Sequence, residues 1–334
     1  EETQWVNYRL SEGKGIMVWG NHNSNYNQAT MGFSNNSDFS WISYKNRGWS
    51  VPANVSYMES HDEERLMYKN LQYGNSSGSY DIQNLPTALD RIELASAFYI
   101  TVPGPKMIWQ FGELGYDYSI DFNGRVGNKP ILWDYFEEQD RKDLYDTYSK
   151  LIQLKLNYEI FETSNFTLDV ANTNGLKSIH LTDETATDIK YITIIGNFGV
   201  TVQDITPNFQ QVGNWYSILE DNAVLNVTNV SNTITLQPGS YKMYANNPET
   251  LAMNDLGSNN FKTIVYPNIA DDFFKLNTAS NNIIVFDLNG KKIMEFKGNF
   301  NKGHTFDIKN ILPGLYLLKI QHNATSVFSK IMIE

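Results

Sequence analysis

The chain of 334 residues contains no cysteine, which excludes a disulfide scaffold and any Cys-ligated zinc site. Positive charge is scarce. Twenty-six Lys and Arg stand against 37 Asp and Glu, a formal net charge of −11, so a nucleic-acid or anionic-membrane partner, which calls for basic patches, is not expected. A neutral or cationic ligand fits this balance better. No run of about twenty apolar residues occurs, and no transmembrane segment is expected. Gly-rich phosphate loops, Walker motifs and nucleophile elbows are missing too. Of only five histidines, His180, His304 and His322 fall singly within β-type patterns and form no set with metal-ligand spacing, so no metal site is assigned. The sequence opens on Glu1-Glu-Thr-Gln-Trp-Val-Asn-Tyr-Arg-Leu10, with neither an initiator Met nor a charged-then-apolar leader,. It reads as a helix with acids at its positive end, and predicts a chain that begins inside a domain.

Aromatic residues are plentiful instead, at 13 % with seven Trp and twenty Tyr. They suit both a β-rich core and stacking against sugar rings. The first 156 residues alternate strand-like and helix-like stretches. Residues 15–20 read as a short buried strand, 21–38 as an Asn/Ser/Gly-rich loop, 55–58 as a second strand, 85–100 as a buried helix with Pro in its first turn, 106–111 as a third strand and 139–156 as an amphipathic helix. From residue 161 the pattern changes to short β-branched segments at 166–170, 177–181, 191–195, 217–219, 233–236 and 240–244, which predict a β-sandwich. Residues 247–260, with Pro, Gly and several Asn, read as a linker. Residues 261–334 restart as a small β unit, with Asn289-Gly290 as a hairpin signal.

The chemistry concentrates in Val55-Ser-Tyr-Met-Glu-Ser-His-Asp-Glu-Glu-Arg65, an apolar strand ending in an imidazole among carboxylates. At the carboxyl end of a (β/α)₈ barrel strand, such a pair points into the mouth. This segment resembles the fourth conserved region of α-amylases, glycoside hydrolase family 13. Trp19-Gly-Asn-His-Asn-Ser-Asn-Tyr-Asn-Gln-Ala-Thr-Met31 before it and Met107-Ile-Trp-Gln-Phe-Gly-Glu-Leu-Gly-Tyr-Asp-Tyr118 after it stand in an order that resembles barrel strands six, seven and eight. Tyr266-Pro-Asn, Asp287-Leu-Asn-Gly-Lys and Pro313-Gly-Leu-Tyr-Leu resemble the sorting domain of proteins exported by the type IX secretion system. The departure there is Ile269, where a Pro or small residue is frequent.

The resemblance implies a multidomain chain: the C-terminal part of a (β/α)₈ TIM barrel over 1–156, an antiparallel β-sandwich over 157–246, the linker, and an immunoglobulin-like sorting domain over 261–334. It implies a retaining glycoside hydrolase acting on α-1,4-glucans, located outside the cell or on its surface, with the type IX secretion machinery and an α-glucan as partners. Asp62 corresponds to the carboxylate that stabilises the oxocarbenium-like transition state, and His61 to the imidazole that hydrogen-bonds the same sugar. Trp19, Asn21, His22, Tyr26, Arg65, Glu113 and Tyr116 are the substrate-contact candidates. Asp117 and Asp121 read as loop-capping acids, and Arg65 as a partner of Glu63 or Glu59. The family's nucleophile and general acid lie upstream of these strands. Glu1 and Glu2 open a helix instead of ending a strand and do not replace them, so the chain alone is expected to be inactive. A structural Ca²⁺ is implied as well, its ligands mainly in the upstream part. Two alternatives are a non-catalytic secreted starch-binding or glycan-binding protein and a transglycosylase of the same family.

Overall fold

Three stretches of backbone lie side by side in parallel and carry the segments singled out above. β1 (Val18–Asn21) pairs with β2 (Asn54–Tyr57), Val18 opposite Asn54 and Asn21 opposite Tyr57. On the far side of β2, Ser56 forms a parallel bridge with Lys106, through the Ser56 N–H to the Pro105 carbonyl at 3.2 Å and the Met107 N–H to the Ser56 carbonyl at 2.9 Å. The third expected strand, 106–111, is thus reduced to one bridge. The computed structural model describes residues 1–8, 10–13, 15–248, 265–287, 290–322 and 325–334, and among these no closed barrel forms. Among the described residues β1 has one sheet neighbour. Met17 and Trp19 are therefore exposed, contrary to the buried strand expected at 15–20.

Around this array run α1 (Glu2–Val6), α2 (Asn23–Thr30), α3 (Leu66–Tyr73), α4 (Leu85–Ile100) and α5 (Gln139–Asn157). The α4 helix follows the sequence as read. Pro86 occupies its first turn, where a missing N–H costs nothing, and it is buried on nearly every side from Ala88 onward. The loop expected over 21–38 is corrected, because residues 23–30 of it are α2. Its inward face is Tyr26, Asn27, Ala29 and Thr30, so the usual aliphatic periodicity is missing. Asn21 Oδ1 accepts the Asn23 N–H at 2.9 Å and starts the helix, as an Asx turn does.

After a small hairpin, β3 (Ser76–Ser77) and β4 (Tyr80–Asp81), the chain turns to sheet. β5 (Phe166–Asp169), β6 (Leu176–Thr182), β7 (Tyr191–Asn197), β9 (Gly213–Ser217), β10 (Ala223–Val227) and β12 (Tyr241–Ala245) form one six-stranded sheet in the order β10-β9-β12-β7-β6-β5. β8 (Gln203–Ile205) and β11 (Ile234–Leu236) pair separately. Alternation sends Ile192 and Ile194 of β7 into a core shared with Leu94 and Phe98 of α4, while Ile195 joins Trp215, Leu236 and Tyr244 in a second core. Both faces of the central strand are buried. A Cβ at Gly196 would lie 2.6 Å from the Phe98 ring, so helix and sheet approach as closely as a glycine permits.

Arg91 on α4 ties this unit together. It is fully buried. Its Nε donates to the Thr30 carbonyl at 2.8 Å and Nη2 to Ala29 at 2.5 Å and Phe198 at 2.6 Å, while Nη1 reaches Gly199 at 3.0 Å and Asn197 at 3.4 Å. Ala29 and Thr30 end α2, where carbonyls lack intrahelical partners, and residues 197–199 form the turn after β7.

The chain divides into two units, Glu1–Leu251 and Ala252–Glu334. The expected linker 247–260 falls mostly outside the described residues. In the second unit β13 (Val265–Tyr266), β14 (Phe273–Leu276) and β17 (Thr305–Asp307) form one sheet in the order β13-β14-β17, and β15 (Ser280–Phe286), β16 (Lys292–Phe300), β18 (Gly314–His322) and β19 (Thr325–Ile333) another, in the order β16-β15-β18-β19. Between them lie Phe274, stacked on Phe306 at 5.0 Å, with Ile283, Val285, Leu318 and Ile331. Asn289 of the expected hairpin signal lies outside the described residues, but β15 and β16 on either side do pair antiparallel, and Gly290 has φ +78°.

Arg91→Met in the full chain strands five carbonyls in the core, and is expected to cost about 3–5 kcal/mol, the range for removing one partner from a buried charged set. Urea unfolding checks this; a loss below about 1 kcal/mol, the scale of an ordinary surface change, would show that the guanidinium is not needed.

Candidate functional site

The turn between β2 and α3, residues 58–65, holds four acids, and the structure gives three of them a structural partner. Glu59 Oε1 accepts the Leu66 N–H at 2.6 Å and so caps α3 from seven residues upstream. A Cβ at Gly112 would lie 2.7 Å from Glu59 Oε2, which leaves no room there for a larger residue. Burial pushes the Glu59 carboxyl up to about 7; the Leu66 N–H and Arg65 oppose that shift, and Glu113 and Glu64 add to it. Glu63 takes a hydrogen bond from Asn21 Nδ2 at 2.6 Å and a second, short one from Ser60 Oγ. Glu64 is held by Ser119 Oγ and the Ile120 N–H, each at 2.8 Å.

Asp62 is different. Its main chain is fixed, its N–H donating to Ser60 Oγ at 3.2 Å and its carbonyl accepting from Arg125 Nη2. Its carboxylate is 70 % exposed and meets only the His61 Nε2, at 3.3 Å, among the described residues. His61 is equally exposed, and its ring lies 5.6 Å from Trp109. Arg65 is buried and brackets this pair from below, donating from Nη1 to the Ser60 carbonyl and to the Glu63 carbonyl at 3.3 Å, with Tyr116 5.9 Å away. It therefore pairs with main-chain oxygens and not with the Glu63 or Glu59 carboxylates.

The other candidates separate. Trp19 is 63 % exposed and meets Tyr57 edge-on at 6.0 Å, and Asn21 reaches the turn through Glu63. Both lie on β1, which pairs with β2 just before the turn. His22 is buried, with Nε2 3.3 Å from Asn54 Nδ2; burial, then Arg47 and Lys106, lower its pKa to about 3. Since an amide nitrogen only donates, the neutral imidazole accepts at Nε2. Tyr26 is wholly buried, stacked on Phe39 at 4.4 Å with its hydroxyl on the Phe98 carbonyl. It is a core residue and not a rim aromatic, because α2 turns it towards α4. Tyr116 is buried as well, its hydroxyl donating to the Pro130 carbonyl at 2.7 Å. Glu113 is half-buried in a separate cleft against α5, its carboxyl raised by burial. Asp117 bonds Tyr135 and Arg141, and the exposed Asp121 lies 4.0 Å from Arg125.

Sequence reasoning did not single out Tyr57, Trp109 or Arg125. Tyr57 was legible as the strand residue opposite Asn21, but Arg125 reaches Asp62 across 63 positions with no pattern to announce it. Among the described residues no group of three or more His, Asp or Glu side chains is placed to hold a metal ion, and no helix is long and apolar enough to cross a membrane.

Residues 264–334 match the secretion system C-terminal sorting domain. That match indicates a secreted or cell-surface protein. No curated protein matches the chain in sequence. Among solved structures, the gamma-CGTase from alkalophilic Bacillus clarkii is similar with a TM-score of 0.52 and 13 % identity, over 99 % of this chain and 46 % of that one. AmyP in complex with maltose gives 0.50 and 15 %, over 74 % and 55 %. Pullulanase type I from Bacillus subtilis str. 168, complexed with maltose, gives 0.50 and 15 %, over 69 % and 35 %. The chain spans about half the length of the first two and about a third of the last. At such identities the likeness concerns the fold: this architecture resembles the C-terminal parts of α-amylase-family enzymes.

Two buried titratable groups at the strand ends oppose each other in pH. Glu59, raised from 4.5 to about 7, keeps a proton in the folded chain that the unfolded chain releases, so stability falls as pH rises through that window. His22, lowered from 6.5 to about 3, stays neutral when folded, so stability is lost as pH falls below about 6.5. Glu59→Gln keeps an acceptor for Leu66 and removes only the first effect. Between about pH 5 and about pH 8 it is expected to gain on the order of 2–3 kcal/mol relative to the native chain. Parallel stability profiles for the two proteins would contradict the burial of a protonated Glu59.

Proposed function

We propose that this chain carries the transition-state carboxylate and part of the sugar-contact surface of an α-amylase-like retaining glycoside hydrolase acting on α-1,4-glucans. One observation carries the reading. Of the acids crowded at the end of β2, Asp62 alone keeps an exposed carboxylate, and a neighbouring imidazole faces it. An exposed carboxylate stabilises the positive charge that develops on an oxocarbenium-like ring, and a neutral imidazole hydrogen-bonds a sugar hydroxyl without adding repulsion. Trp19 beside Tyr57 supplies a flat apolar surface of the kind that stacks on a sugar ring,.

Retaining hydrolysis needs a nucleophile and an acid about 5–5.5 Å apart. Glu59, Glu63 and Glu64 are occupied in caps and ties, so none of them completes such a pair with Asp62. The chain by itself is accordingly proposed to bind α-glucan without cleaving it. A transglycosylase would use the same Asp62, since acceptor choice lies in loops and not in this carboxylate. The glycan-binding alternative uses the same aromatic surface and differs only in never reaching hydrolysis. A structural Ca²⁺ belongs to the family resemblance; the described residues offer no ligand set that fits it, and no step here depends on one. Export by the type IX route accords with an extracellular polymeric substrate.

The purified chain is expected to release no reducing sugar from soluble starch above the Asp62→Asn level, yet to be retarded in starch-containing native gels. Trp19→Ala should weaken that retardation about three- to tenfold, the scale of one stacking contact. Starch hydrolysis abolished by Asp62→Asn would overturn the binding-only state of the chain, and unretarded migration would overturn the glucan reading itself.

A further inference from the structure

The Tyr266-Pro-Asn268 motif plays no part in the function proposed above. In the second unit it crosses between sheets. Val265 and Tyr266 pair with Leu276 and Lys275 in one sheet, Asn268 and Ala270 bond to β19 in the other, and at Phe273 the chain re-enters the first sheet as β14.

β19 is the last strand of its sheet, and along its outer edge Asn268 takes the place of a neighbouring strand. Its Oδ1 accepts the Met332 N–H and its Nδ2 donates to the Lys330 carbonyl, each at 3.0 Å. A carboxamide carries the same donor and acceptor as a peptide group. Beside it the Ala270 N–H donates to the Met332 carbonyl at 2.8 Å, and the Ala270 carbonyl accepts the Glu334 N–H at 3.0 Å.

This edge has little else to protect it. Thr325-Ser-Val-Phe-Ser-Lys-Ile-Met-Ile333 contains no Pro and one charged residue, Phe328 and Met332 are exposed, and the strand runs against β18 in unbroken register. A flat, apolar edge of that kind templates pairing with another chain. β16, at the opposite edge of the sheet, differs. Exposed Lys292 and Lys297 flank Glu295, and two register shifts interrupt its pairing with β15; charge and bulges both discourage strand addition.

We propose that Asn268 is an edge guard, occupying main-chain groups of β19 that a second copy of this chain would otherwise pair with. It involves no residue of the Asp62 turn.

Amide exchange in the unmodified full chain gives the first test. Alternation along the ladder turns the Phe328 and Met332 main chains to the same edge, but Asn268 meets the second only. After correction for sequence, the Met332 N–H is expected to exchange about tenfold more slowly than that of Phe328, the scale of one hydrogen bond. Equal rates would overturn the guard. Sedimentation of the full chain gives the second. Asn268→Ala is expected to strengthen self-association about tenfold, since the freed groups regain a hydrogen bond between copies. Adding Met332→Pro removes the freed donor itself, at an edge position that tolerates proline, and is expected to return association to the native level without restoring the Asn268 bonds. Pairing through any other edge is common to all three proteins and cancels. Association unchanged in Asn268→Ala would overturn the proposal. Association as strong in the double variant as in the single one would overturn it too, by tracing the effect to lost stability.

Discussion

A cation with no carboxylate partner among the described residues organises the larger unit. Arg91 is buried in α4 and spends its guanidinium donors on main-chain carbonyls from two places, the end of α2 and the turn after β7. Charge burial of this kind is tolerated only when every donor is satisfied. The arrangement therefore demands that the helical array and the antiparallel sheet be assembled together. Gly196 on β7 and Phe98 on α4 make the same demand sterically, since the two layers meet where no side chain fits. Lys177 repeats the device nearby, a buried ammonium 5.0 Å from the Phe39 ring and bonded to the Val170 carbonyl.

The candidate site inherits its rigidity from that assembly. The strand end carries more acids than any reaction needs, and most are consumed as structure: one caps a helix, one ties β1 to the turn, and one fastens the loop at 119–120. What distinguishes Asp62 is that nothing of the sort claims its carboxylate. Near it burial shifts two titratable groups towards their neutral forms, His22 by desolvation and neighbouring cations, Glu59 by desolvation against the opposing Leu66 N–H and Arg65. Beneath the exposed carboxylate the buried Arg65 guanidinium is turned to the Ser60 and Glu63 carbonyls.

Much of this was legible in advance because it follows local rules. The α4 helix begins at Leu85 and ends at Ile100 as its Pro and apolar pattern indicate, and β6, β7 and β12 fall where alternation and β-branching place them. Asn23–Thr30 was misread as loop because its buried face is made of Tyr, Asn, Ala and Thr, residues whose burial depends on hydrogen bonds from elsewhere. Tyr26 and Tyr116 had the right chemistry for a sugar rim. A tyrosine on a rim and a tyrosine in a core are the same in sequence, and only the layer above the ring separates them.

The sequence by itself determined the classes of element, the location of the acid-rich turn at the end of β2, and the export address at the C-terminus, since each is written in contiguous residues with their own periodicity or motif. Tertiary structure alone decided which of the acids stays free, that Arg65 holds carbonyls and not carboxylates, and that Tyr26 and Tyr116 belong to the core. Those outcomes depend on burial and on contacts between residues dozens of positions apart. Neither quantity is a property of any short stretch of chain.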